Sequence, residues 1–231
     1  MIPMHKRLAA ECFGTFCLVF IGTGAAVVSR LFPGTMTHAD VAITFGLAVL
    51  ALVYALGDIS GAHMNPAVTL GFALAKRMAW RDVPGYIASQ CAGALLASGT
   101  LRLLFPSHET LGATLPSGAM TQSFVLEIVL TLILMMVVLS VSTGAKERGI
   151  TAGIAVGATV AIEAMFAGPV CGASMNPARS LGPALVSMHT EHLWLYLIAP
   201  CIGAAMAVPL CCAIREKGCC CDPLSAKGCE S

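Results

Sequence analysis

Two stretches of this sequence repeat almost residue for residue, GAHMNPA at 61–67 and GASMNPAR at 172–179. Their polar groups are amide, imidazole, hydroxyl and guanidinium, and Asn65 and Asn176 stand 111 positions apart. Such groups give and take hydrogen bonds. No nucleophile triad, phosphate-binding loop or pair of catalytic acids occurs in the sequence. The chemistry on offer is recognition of a passing neutral group, and an enzyme is not expected. Each asparagine is followed by a proline and an alanine, Pro66-Ala67 and Pro177-Ala178. Asparagine is a favoured helix cap and proline a favoured first helical residue, so both turns open a helix.

The elements that must position these turns are apolar. Of 231 residues, 57% are hydrophobic and 11% charged, where soluble domains carry about 25% charged residues. So few charges cannot cover a globular surface, and a membrane is the solvent this composition calls for. A helix needs about 20 mostly apolar residues to cross the hydrocarbon. Six segments qualify: 8–28, 41–56, 86–105, 123–143, 150–168 and 193–214. The second is short, with Asp40 and Gly57 at its interfaces. Seven residues precede the first, whose apolar stretch is long enough to be retained rather than cleaved. Six spans put both termini on one side. On that topology ten Lys and Arg residues share the side of the termini, and Arg30, Arg102 and Arg179 lie opposite. The excess marks the cytoplasm, so a multi-pass protein of the plasma or inner membrane with both termini cytoplasmic is expected. A net charge of +1 and the lack of a basic patch give no reason to expect nucleic acid.

The apolar runs that follow the asparagines, 65–75 and 176–186, are too short to cross. They read as re-entrant half-helices. A second echo precedes them: Glu11 and Thr15 in the first span match Glu127 and Thr131 in the fourth. Each half, about 8–105 and 123–214, is therefore three spans with a half-helix after the second. Three is odd, so the second half is inverted in the membrane. Inverted repeats with broken helices mark transporters and channels with a midplane site. The two half-helix N-termini then meet near the middle, each carrying roughly +0.5 of an elementary charge. Such a zone repels cations, hydronium included, while the asparagine amides donate to a passing oxygen. An acidic residue at mid-span costs about 2.5–3.5 kcal/mol on insertion scales. Glu11 and Glu127 are therefore expected to accept from backbone N–H groups of the adjacent re-entrant loops. The fold class is an all-α membrane protein with one channel domain over 1–214. A cysteine-rich cytoplasmic tail, 215–231, expected to be disordered, follows it.

With these motifs the chain resembles the aquaporin, or major intrinsic protein, family over nearly all of 8–214. The motifs are Ala10-Glu11-x-x-Gly14-Thr15, Ser60-Gly61-Ala62-His63-x-Asn65-Pro66-Ala67 and Asn176-Pro177-Ala178-Arg179-Ser180. The resemblance implies six spans and two half-helices, homotetramers with one pore per subunit, no cofactor, and passage of water or small neutral solutes. It also implies a four-residue selectivity filter. Carried over by spacing, that filter is Phe45, Ala164, Ala173 and Arg179. Water-selective members usually carry His where Ala164 stands. Glycerol-type members usually carry Asp where Ser180 stands. The stretch 167–179 is more similar to nodulin-like intrinsic proteins and related bacterial aquaglyceroporins, which conduct glycerol, boric acid or arsenous acid. A filter of this composition suits polyols and metalloid acids, with a mainly water-selective aquaporin as the alternative.

Other residues carry further expectations. His63 is expected to line the cytoplasmic approach or to make a loop contact. Glu163, beside Ala164, could orient the loop that holds Arg179, pair with a polar neighbour, or couple transport to protons. Asp58 stands where the family commonly has His, and is expected to alter the cytoplasmic vestibule. His38, His108, His189 and His192 read as solvated loop residues. Cys12, Cys17, Cys91 and Cys201 read as packing residues in spans, and Cys171 as open to thiol reagents from outside. In the tail, Cys219, Cys220, Cys221 and Cys229 are reduced thiols that could capture trivalent metalloids. Cys211 or Cys212 could carry a lipid.

Overall fold

The computed structural model describes residues 2–142 and 146–214, with side chains from 151 onward in the second stretch. Eight α-helices occur among the described residues: α1 (Met4–Leu31), α2 (His38–Ser60), α3 (Pro66–Leu74), α4 (Val83–Leu104), α5 (Met120–Val141), α6 (Lys146–Cys171), α7 (Pro177–Ser187) and α8 (Leu193–Ile214). No strand occurs among them. All but α3 and α7 are long and apolar enough to cross a membrane. The fold is therefore the all-helical one expected, with two short helices among six long ones.

Most spans run past the limits read from hydropathy, and local chemistry explains α2. Thr37 and Asp40 form a capping box: the Thr37 side chain accepts from the Asp40 N–H, and the Asp40 carboxylate accepts from the Thr37 N–H at 2.7 Å. That box satisfies orphan donors and starts the helix at His38. At the other end α2 runs past Asp58, which is exposed, to Gly61, whose φ of 89° stops it.

Glycines set how closely the spans cross. A Cβ on Gly93 would lie 2.2 Å from the Cys12 carbonyl, bringing α4 onto α1. One on Gly203 would lie 2.3 Å from the Ile128 carbonyl, bringing α8 onto α5. The two carbonyls follow Glu11 and Glu127 directly. Between the halves, α2 meets α6 where Gly46 and Gly157 back onto each other, and a Cβ added to either would lie 2.5 or 2.6 Å from the other's carbonyl oxygen. These two glycines are 111 positions apart, like the asparagines, so the pseudo-two-fold axis of the repeat passes between them. Each half-helix lodges chiefly against the third span of the other half, α3 on α8 and α7 on α4. The outside exposes Phe13, Leu47, Leu96, Leu103, Ile162 and Phe166, a surface suited to hydrocarbon.

Cys12, Cys17, Cys91 and Cys201 are free and partly buried within the spans. Cys211 and Cys212, at the end of α8, are disulfide-bonded, against the expectation of reduced or lipid-bearing thiols. The tail thiols Cys219, Cys220, Cys221 and Cys229 lie outside the described residues.

Candidate functional site

The half-helices meet tip to tip. Asn65 Nδ2 donates to the Met175 carbonyl at 2.7 Å, and Asn176 Nδ2 to the Met64 carbonyl at 2.8 Å. Each asparagine oxygen caps its own helix. Asn65 Oδ1 accepts from the Ala67 N–H at 2.9 Å, and Asn176 Oδ1 from those of Ala178 and Arg179 at 3.0 and 3.3 Å. With the oxygen committed, the amide nitrogen must face across the junction. It keeps a second hydrogen, and both asparagines line the same cavity.

Each re-entrant loop takes positive φ at the same three places. These are Gly61 (89°), Ala62 (48°) and Met64 (49°), then Gly172 (83°), Ala173 (42°) and Met175 (53°). Alanine and methionine resist that region, and strained backbone persists only where its surroundings hold it. Here buried carboxylates hold it. Glu11 accepts from the His63 and Met64 N–H groups at 2.9 and 2.7 Å, from the Ser60 hydroxyl at 2.6 Å and from Gln90 Nε2 at 2.8 Å. Glu127 accepts from the Ser174 and Met175 N–H groups, both at 2.7 Å. Two tyrosines repeat the symmetry. Tyr86 donates its hydroxyl to the Ser60 carbonyl at 2.8 Å, and Tyr196 to the Cys171 carbonyl at 2.7 Å.

Two cavities flank the second loop. The inner one, about 130 Å³, is lined mostly by aliphatic side chains together with His63, Asn65 and Asn176. The outer one, about 300 Å³, is lined by Arg30, His38 and much of loop 105–119, His108 included. The residues common to both linings are Phe45, Ala164, Ala173 and Arg179. They are the four positions that the family resemblance implied for a filter. The Arg179 guanidinium carbon lies 5.1 Å from the Phe45 ring centroid, within range of a cation–π attraction. Arg179 Nη1 donates to the Gly112 carbonyl at 2.8 Å. A Cβ on Gly22 would come within 2.2 Å of the Phe45 ring, so the absence of a side chain on α1 makes room for it.

Several sequence expectations need correction. His38 is tied down: its Nε2 lies 3.1 Å from both the Ala164 and the Met165 carbonyl. Carbonyls only accept, so Nε2 carries the hydrogen. His108 is 4% exposed, and its Nδ1 accepts from the Leu111 N–H at 3.0 Å. Burial, then the charges of Arg30 and Arg102, push its imidazole below the ordinary value. Cys171 is fully buried and closes α6, so reagents cannot reach it. Glu163 is 5% exposed, and neither carboxyl oxygen has a hydrogen-bond partner among the described residues, so it does not hold the Arg179 loop. His63 lines the inner cavity, with its ring stacked on Phe72 at 4.6 Å and Nδ1 3.1 Å from the Thr69 hydroxyl. No cluster of His, Cys, Asp or Glu suited to a metal ion occurs among the described residues.

The sequence reading missed loop 105–119, which it treated as a connection. Gly112 and Thr114 from this loop reach Arg179 and Ser180 of the second half-helix, and Ser117 reaches Val170 near the end of α6. Nothing in their spacing marks them, because their partners lie far along the chain.

Comparison with known proteins agrees with this geometry. The family model described as "Major intrinsic protein" matches residues 1–210. Aquaporin NIP1-1 of Oryza sativa subsp. japonica is 50% identical over 204 residues, spanning 88% of this chain and 72% of that protein. Nodulin-26 of Glycine max is 46% identical over 204 residues, spanning 88% of this chain and 75% of that protein. Among solved structures, the aquaglyceroporin from Plasmodium falciparum superposes with a TM-score of 0.81 at 24% identity. That match covers 91% of this chain and all of the other, and it speaks for the fold. The chain therefore belongs to the major intrinsic protein family, and is a multi-pass membrane channel rather than an enzyme.

Proposed function

We propose that the chain is a passive pore for water and small neutral solutes, taking glycerol-like polyols and metalloid acids such as arsenous or boric acid. The observation that carries this reading is the junction of the two cavities at Phe45, Ala164, Ala173 and Arg179. Two of the four are alanines, so bulk is missing on two sides. Arg179 supplies hydrogen-bond donors and a positive charge, and Phe45 a flat apolar wall. Such an opening accepts a hydroxylated molecule larger than water and disfavours cations. Proton exclusion belongs to the asparagine junction. Two helix N-termini and two amide donors face one short stretch there, so a water held by both cannot relay a proton easily. In the same reading, residues 1–214 form one channel unit of two inverted repeats, the protein assembles as a homotetramer, and both termini face the cytoplasm of a plasma or inner membrane.

Stopped-flow shrinkage and reswelling of proteoliposomes under water, glycerol and arsenite gradients tests the solute class, with an entrapped pH dye reporting protons. Fast reswelling with glycerol or arsenite and a silent dye are expected. Water flux without either solute supports the alternative, a mainly water-conducting aquaporin, which the stacking of Arg179 on Phe45 favours by narrowing the slot. Saturable, proton-driven uptake would point instead to coupled transport through Glu163.

A further inference from the structure

The second half-helix is tied to the outer loop by more than Arg179. Thr114 Oγ1 lies 2.7 Å from Ser180 Oγ, and Ser180 Oγ lies 2.5 Å from Ser174 Oγ. Ser174 Oγ donates to the Asn176 carbonyl at 2.9 Å. Each hydroxyl has one hydrogen and can accept more than one. Either partner can donate in the two hydroxyl–hydroxyl contacts, and each contact needs both hydroxyls. The result is a continuous chain from loop 105–119 to the asparagine at the cavity junction. All three hydroxyls are buried, at 6%, 0% and 5% exposure for Thr114, Ser180 and Ser174. The loop is clipped twice more, by the Ser117 N–H to the Val170 carbonyl at 3.0 Å and by Gly112 to Arg179. It also rests on the backbone of Gly172, where an added Cβ would meet Thr114 at 3.0 Å. The Gly112 carbonyl can hold the guanidinium in place only while the loop itself is held.

We propose that Thr114, Ser180 and Ser174 are positioning residues that set the solute specificity of the pore, by fixing where the Arg179 guanidinium stands between Phe45 and the two alanines. This rests on the reading of Arg179 as a filter residue. Breaking the chain at either hydroxyl frees the loop, lets Arg179 leave Gly112 and Phe45, and widens the opening. The pore then loses discrimination among solutes rather than conduction.

The test uses full-length protein in proteoliposomes, comparing wild type with Thr114→Val, Thr114→Ser and Ser180→Ala. Loss of one hydrogen bond shifts a two-state equilibrium about fivefold. The glycerol-to-water permeability ratio is expected to change by about that factor in Thr114→Val and Ser180→Ala. Thr114→Ser, which keeps the hydroxyl, should restore the wild-type ratio. A purely structural defect would lower both permeabilities together and leave the ratio alone. The second readout is the order of the Arg179 side chain, from solid-state NMR of its guanidinium in the same membranes. It should fall in Thr114→Val and Ser180→Ala and hold in Thr114→Ser. Unchanged ratio and unchanged Arg179 order in both hydroxyl-deleted variants would overturn the proposal. If the wild type passes no glycerol, the solute reading fails by itself, and the Arg179 order still decides on the hydroxyl chain. Should Thr114→Val not fold, Ser180→Ala and Thr114→Ser carry the comparison.

Discussion

Glu11 and Glu127 look alike in the sequence, yet they carry unequal loads. Glu11 takes four nitrogen or hydroxyl donors, two of them backbone N–H groups of the strained loop, whereas Glu127 takes its loop's two N–H groups and the weaker Cys171 thiol. A glutamine keeps one acceptor and turns an NH₂ toward a backbone donor, leaving that donor buried and unpaired at about 1–3 kcal/mol. Glu127→Gln should therefore lower the unfolding temperature and water permeability, and Glu11→Gln should lower both further. Thermal unfolding in detergent and stopped-flow flux measure this; a Glu11→Gln protein equal to wild type in both would remove the support role. His108 gives a pH prediction. Its value is depressed, so the folded loop prefers the neutral ring that accepts from Leu111. That contribution is whole above the ordinary value of 6.5 and is lost as pH falls below it through the depressed one. Protection of the Leu111 amide, corrected for intrinsic exchange, should decline on acidification below that point, and the decline should vanish in His108→Asn. Asn65 and Asn176 were legible from the repeat, and the four junction residues only through the family resemblance, which carries its filter positions over by their distance from the asparagines. His38 and Thr114 were not, because their partners lie 126 and 66 positions away with no period linking them.

At the scale of elements, the opening depends on what stands behind its walls. Phe45 sits on α2, but the space it occupies is set by Gly22 of α1, where any Cβ would clash with the ring carbons. Overpacking of this kind costs about 1–3 kcal/mol unless the ring moves, and the open direction is toward the cavity junction. Gly22→Ala is expected to reduce water permeability with little loss of assembled protein. Adding Phe45→Ala to it should restore flux, since the displaced ring is then gone. A double variant as slow as the single one would show that α1 itself had shifted. Elements were legible in proportion to the regularity of their pattern. The last span, 193–214, was read to the residue, and the half-helices were found from their Asn-Pro starts. The reading of α2 stopped short at Asp40 and before Asp58, because hydropathy cannot see a capping box or an acid that reaches solvent from a helix end. Loop 105–119 has neither period nor charge run, so its part in holding Arg179 appears only in three dimensions.

Across the whole molecule the inverted repeat is an exchange as well as a symmetry. Each half-helix leaves its own half to pack on the third span of the other, and each asparagine amide donates to the opposite loop's carbonyl. A half made alone would hold nine or eleven helical residues at membrane depth with their packing partner missing. It would also leave the Met64 or Met175 carbonyl without the amide that satisfies it, a cost lipid cannot relieve. Fragments 1–118 and 119–231, cut just after the Ser117 that reaches Val170, should therefore be degraded or aggregate when expressed singly. Together they should assemble and restore water flux, because the spans still cross at Gly46 and Gly157 and the loop still meets Ser180. Co-purification through a tag on one fragment and stopped-flow flux of the reconstituted pair decide the matter. A lone fragment that inserts and protects the amides of its half-helix from exchange as the full chain does would mean that each half is complete without the other. In that case the asparagine junction would be a contact between two independent units instead of the point that binds them into one pore.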